Sequence, residues 1–103
     1  MNIVWTRRAV RNLHHVRNFI RLDNPAASEW VGARIEAAAA NLARFAESGR
    51  IGVVPVTREV VLPGLPYLIV YRVSGDSVQI LRVLHSRQKW PQPTEADHDD
   101  RDK

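Results

Sequence analysis

Cysteine is absent from this chain, which excludes disulfides and thiolate metal sites and fits a cytoplasmic protein. No apolar run approaches the roughly 20 residues a membrane-spanning helix needs, and Met1–Trp5 passes straight into a charged segment rather than a secretory signal pattern. Lysine is nearly missing: thirteen of the fifteen cations are arginine. Acidic residues are scarce until the end of the chain. Residues 1–91 hold thirteen Lys/Arg against six Asp/Glu, a balance of +7, whereas 92–103 hold two against five, a balance of −3. A planar guanidinium binds phosphates and carboxylates through two parallel hydrogen bonds, so a nucleic acid or an acidic protein is a plausible partner class. For arginines on helices, a solvated helix face is the competing reading.

A length of 103 residues fits one domain, with a core large enough to stand without staples. Met1–Trp5 reads as a short first strand. Thr6 can cap a helix whose apolar positions fall at Ala9/Val10, Leu13, Val16 and Phe19/Ile20, a spacing of three to four that builds one stripe. Asp23-Asn24-Pro25 stops that helix and starts another, since Asn24 is a good N-cap and Pro25 suits the first helical position. The second helix carries Trp30/Val31, Ile35, Ala38, Leu42 and Phe45, and is expected to run to about Glu47, with Gly49 as its left-handed terminator. Its Ala37–Ala40 middle has high helicity and permits close helix approach. The short link predicts an antiparallel hairpin, with Trp30 in the core or the hairpin interface.

After Gly49 the period becomes strand-like. Val53–Leu62, Tyr67–Val73 and Val78–His85 read as three strands, with Pro63-Gly64 and Ser74-Gly75-Asp76-Ser77 as the turns. The expected class is α+β: an N-terminal strand, an antiparallel helical hairpin, then a three-stranded antiparallel meander. Residues 1–91 form the expected domain. Residues 92–103 form a polar acidic tail expected to be flexible, or else an acidic arm shielding the basic surface.

Arginines recur among the apolar residues of these strands, at Arg58, Arg72 and Arg82, followed by Arg87 and Lys89-Trp90-Pro91. A charged side chain in such a strand is a cost unless it reaches solvent, a carboxylate or a phosphate, so these residues are the candidate target- or nucleic-acid-binding set. Each has a structural alternative. Arg72 and Arg82 can lie along apolar neighbours, Trp90 can plug the sheet, and His85 can be a packed strand-end residue. Arg58 and Glu59, being adjacent in a strand, point to opposite faces and do not pair with each other. His14 and His15 read as surface or boundary residues, and with His85 they lack a carboxylate pattern that would recommend a metal site.

The ordered set Trp5 with Ala9 and Leu13, Asp23-Asn24-Pro25-Ala26-Ala27, Gly49-Arg50-Ile51-Gly52, Thr57-Arg58-Glu59, Tyr67 with Tyr71-Arg72-Val73, and Val83-Leu84-His85-Ser86-Arg87-Gln88 resembles the RelE/ParE superfamily of bacterial toxins, its ParE-like members in particular. That resemblance implies the toxic half of a type II toxin–antitoxin module, with a cognate antitoxin as partner and no cofactor. ParE-like members poison DNA gyrase by binding. RelE-like members cleave messenger RNA on the ribosome without a metal, which requires a base, an acid and cations for the phosphate. On the nuclease alternative, His85 is the candidate base and Arg87 matches a family arginine after the last strand. The fit to a nuclease is partial: Leu68 follows Tyr67 where RelE-like proteins often carry arginine, and 92–103 contain no tyrosine to match their C-terminal one. The reading therefore leans to a non-enzymatic gyrase binder, with the ribosome-dependent endoribonuclease second and a non-toxic antitoxin-binding protein third.

Overall fold

The computed structural model describes residues 1–91, so the expectations for 92–103 lie outside the described residues. In chain order the elements are β1 (Asn2–Trp5), α1 (Arg7–Arg21), α2 (Pro25–Asn41), β2 (Arg50–Ile51), β3 (Arg58–Val61), β4 (Tyr67–Ser74) and β5 (Ser77–His85). The strands form one five-stranded sheet in the order β1-β5-β4-β3-β2. The α+β class and the helical hairpin are as the sequence predicts, but the sheet is mixed: β1 runs parallel to β5, and the other neighbours are antiparallel.

Both predicted caps form. The Ala9 N–H donates to Thr6 Oγ1 at 3.1 Å and the Ala27 N–H to Asn24 Oδ1 at 3.0 Å, each satisfying a donor that the first helical turn leaves orphaned. The Thr6 hydroxyl also donates to the Ile80 carbonyl at 2.8 Å, tying the start of α1 to β5. Ala9, Leu13 and Val16 of α1 and Val31, Ile35 and Ala39 of α2 are buried against Tyr67, Ile69, Tyr71, Val78, Ile80 and Val83 on one face of the sheet. On the opposite face Val70, Leu81 and Leu84 are buried, with Leu68 and Trp90 packed over them.

Three expectations are corrected. Trp30 is 56% exposed rather than in the core. Val31, one residue further, takes the inward position, because adjacent helical residues stand about 100° apart and only one of an apolar pair can face the sheet. Trp30 instead packs beneath the Arg34 guanidinium, 5.2 Å from the ring centre. Second, α2 ends at Asn41, not near Glu47, and Gly49 is not its left-handed terminator. Gly49 is small because Tyr71 lies against it: a Cβ there would stand 2.7 Å from the Tyr71 hydroxyl.

Third, the strand expected over Val53–Leu62 is confined to Arg58–Val61, preceded by the two-residue β2 and a loop. Val56 within that loop has a positive φ of 68°. A β-branched residue in the left-handed region costs on the order of 1–3 kcal/mol. Gly75, with φ of 58° at the first central position of the β4–β5 turn, meets the same demand without that cost.

β1 covers only the first part of β5, from Ser77 to Ile80. Beyond it, side chains satisfy the strand's free edge: the Val83 N–H donates to Asn12 Oδ1 at 3.1 Å, and the His85 N–H to Gln88 Oε1 at 2.7 Å.

Candidate functional site

Strand register sorts the candidate residues onto different surfaces. Directly paired residues on neighbouring strands share a face. Arg82 pairs with Val70 and Arg72 with Gln79, so both belong to the face away from the helices. Arg82 is buried there, its Nη1 donating to the Leu81 carbonyl at 2.8 Å and its guanidinium lying 5.8 Å from the Trp90 ring centre. The Arg72 Nε donates to Gln79 Oε1 at 2.6 Å. Glu59 and Arg50 continue the same face towards the edge, because Glu59 pairs with Val70 and Arg50 with Glu59.

Arg58 belongs to the other side, in register with Tyr71. Its Nη1 donates to the carbonyls of Gly49 at 2.8 Å and Glu47 at 3.3 Å, so it fastens the segment after α2 to the sheet. As the strand alternation requires, it does not pair with Glu59. The carboxylate of Glu59 takes Arg50 instead, at 3.0 Å.

His85 ends β5 on the helix side, opposite Tyr67, with the two rings edge to face at 5.4 Å. Its Nδ1 accepts the Arg87 N–H at 3.0 Å, which puts the proton of a neutral ring on Nε2. His15, Val16 and Phe19 from α1 meet Tyr67, His85 and Gln88 around a cleft of about 340 Å³. Burial pushes the Tyr67 phenol above its ordinary pKa of 10.0, so the hydroxyl stays protonated. Arg87 and Lys89 are exposed on the turn that follows.

The structure therefore divides the candidates among three places: Arg72, Arg82 and Trp90 on the outer face, Arg58 at the junction with α2, and His85 with Arg87 at the end of the sheet. His15, Tyr67 and Gln88, which join His85, are not among the candidate site residues chosen from sequence, where His15 reads as a surface or boundary residue. Helical phase was the available signal for His15: it lies one turn beyond Asn12, on the flank of α1 that reaches β5.

The chain is thus an α+β domain with a helical hairpin on one face of a small sheet, arginines carried on the strands, and Trp90 packed on the other face. Residues 3–90 match the family model for the ParE toxin of the type II toxin–antitoxin system parDE. The chain is 48% identical over 90 residues to the Y4kP protein of Sinorhizobium fredii, covering 87% of this chain and 93% of that one. It is 36% identical over 84 residues to toxin RelE2 of Caulobacter vibrioides, covering 82% and 93%. Its fold matches a chain of the chromosomal ParDE toxin–antitoxin system from P. aeruginosa with a TM-score of 0.76 and 26% identity, over 82% of this chain and 95% of that one. The chain belongs to the ParE toxin family and is a toxin of the type II toxin–antitoxin class.

Proposed function

We propose that this toxin arrests growth in the cytoplasm by binding and poisoning DNA gyrase, and that a cognate antitoxin neutralises it. What supports binding over hydrolysis is the dispersal of the groups a metal-independent nuclease would have to converge. Arg58 is held by backbone carbonyls on the helix side, Arg72 and Arg82 belong to the opposite face, and His85 has committed Nδ1 to the Arg87 N–H. Phosphoryl transfer needs its acid, base and cations around one phosphate. A binding mechanism asks only for a complementary surface, and the basic balance of residues 1–91 suits an acidic protein partner, antitoxin or target.

A ribosome-dependent endoribonuclease is the second reading, and one observation favours it: His85 lines a cleft with His15 and the protonated Tyr67, so groups able to exchange protons do meet at one place. Induction in cells separates the two. Gyrase poisoning yields cleaved-DNA complexes and a DNA-damage response before any change in messages. Early cleavage of messages with intact DNA would overturn the gyrase assignment.

A further inference from the structure

The loop between β2 and β3 is apolar, exposed and held rigid. Ile51 is 74% exposed, Val53 68% and Val56 82%. Exposed apolar side chains usually occur singly, and three within six residues, from the end of β2 through the loop, call for a partner. The loop is not slack chain. The Gly52 N–H donates to the Thr57 carbonyl at 2.8 Å, the Thr57 hydroxyl to the Val54 carbonyl at 2.6 Å, and the Val53 N–H to Glu59 Oε2 at 3.2 Å. Thr57 Oγ1 also occupies the place a Cβ on Gly52 would need. These bonds fix Val56 in its left-handed conformation and hold its side chain in solvent. A rare backbone conformation persists only where its surroundings over-determine it, and here the result is an apolar tip already in one shape.

The base of the loop is cationic at the surface. Glu59, 4% exposed, is buried beneath Arg50, whose side chain is 62% exposed and uses only Nε and Nη2 on that carboxylate. Among the described residues, Arg58 donates to carbonyl oxygens and not to a carboxylate. An occupant of this surface therefore meets β-branched apolar groups first and guanidinium groups around them. The tip offers no ring on which a base could stack, which favours a protein over a single-stranded nucleic acid.

We propose that residues 51–56 are a preorganised docking finger that enters an apolar cleft, rimmed by carboxylates, on the toxin's protein target. This rests on the reading that the toxin acts by binding a protein. The finger lies at the opposite end of the sheet from the His15–Tyr67–His85 cleft, because β3 leaves the loop beside Tyr71 and reaches the Tyr67 end only at Val61.

The test compares wild type with Val53→Asp, Val53→Lys and Val56→Gly by thermal unfolding, growth arrest on induction, complex formation with the antitoxin, and affinity for purified gyrase. Val53→Asp is expected to unfold as wild type does, to bind antitoxin normally, to lose growth arrest, and to bind gyrase about tenfold or more weakly. Val53→Lys is expected to retain several-fold more affinity than Val53→Asp, since its charge suits a carboxylate rim. Val56→Gly is expected to unfold at a higher temperature while arresting growth less. Loss of arrest by Val53→Asp, with wild type itself failing to bind gyrase, would remove the gyrase assignment and leave the finger docking on another protein. A Val53→Asp toxin that arrests growth and binds gyrase like wild type would overturn the proposal. So would loss of antitoxin binding with arrest intact, or weakened binding to duplex DNA with gyrase binding unchanged. Equal losses in the Asp and Lys variants would overturn the carboxylate rim.

Discussion

The Tyr71 hydroxyl joins two carbonyl-and-amide positions of the segment after α2 in one buried contact, accepting the Gly49 N–H at 2.9 Å and donating to the Ala46 carbonyl at 2.7 Å. Tyr71 is fully buried on β4, so this oxygen, with Arg58 and the core packing of Leu42 and Ala46, ties the segment between α2 and β2 to the sheet. Tyr71→Phe leaves a donor and an acceptor without their partner and is expected to destabilise the fold by about 1–3 kcal/mol, read by urea unfolding. Gly49→Ala places a Cβ 2.7 Å from that hydroxyl and 2.9 Å from the Glu59 carbonyl. Neither neighbour can swing away, and a loss of about 1–3 kcal/mol is expected there too.

Gly32→Ala is expected to behave differently, although a Cβ at Gly32 also collides, with the Arg17 guanidinium. The obstacle is the far end of a flexible side chain that can move into solvent. Displacing it gives up the Arg17–Glu36 ion pair, 3.2 Å long, whose Glu36 is about half exposed. Such pairs are worth about 0–1 kcal/mol, while Ala in place of Gly inside a helix gains about 1 kcal/mol. Unfolding of the two glycine variants side by side should show Gly32→Ala within about 1 kcal/mol of wild type and Gly49→Ala clearly weaker.

Tyr67 gives the fold an alkaline limit. Burial raises its folded-state pKa above the 10.0 of the unfolded chain, so the folded protein holds this proton more tightly. Its contribution is complete below the unfolded pKa and declines as pH climbs through that value towards the folded one. Stability measured from neutral pH upward should fall beyond about pH 10, and Tyr67→Phe should flatten that fall.

His85→Ala separates the two mechanisms. Binding to a protein target requires no proton transfer, so the folded variant should arrest growth nearly as wild type does. A catalytic acid or base contributes about a hundred- to ten-thousand-fold in rate. A His85→Ala protein that still binds antitoxin but no longer arrests growth or cleaves messages would favour the nuclease.

Both helices were legible because their apolar residues repeat every three to four positions and because Asn24-Pro25 marks a cap and a first turn. Trp30 was misread because Trp30 and Val31 are both apolar, and a stripe read from sequence cannot say which of two neighbours faces inward. Val53–Val56 has the β-branched composition of a strand, but Pro55 lacks a ladder donor and Glu59 captures the Val53 N–H, so the chain bends before Arg58. Gly49 owes its smallness to Tyr71, 22 residues away, a contact that local pattern cannot reveal. The candidate arginines were visible as charges in apolar strands. Which face each one serves depends on register, and the sequence carries no direct record of the bulge between Val70 and Tyr71 or of His15 coming beside His85.

The oxygens that Asn12 and Gln88 place on Val83 and His85 matter when many copies of the chain are crowded together. An uncovered strand end offers its amide hydrogens to any passing chain, and sheets that grow from one molecule into the next begin that way. Here those hydrogens are already taken from within, by a residue of α1 and a residue of the following turn. Along the last stretch of β5, those two amides therefore have no hydrogen left to offer to a strand of another molecule.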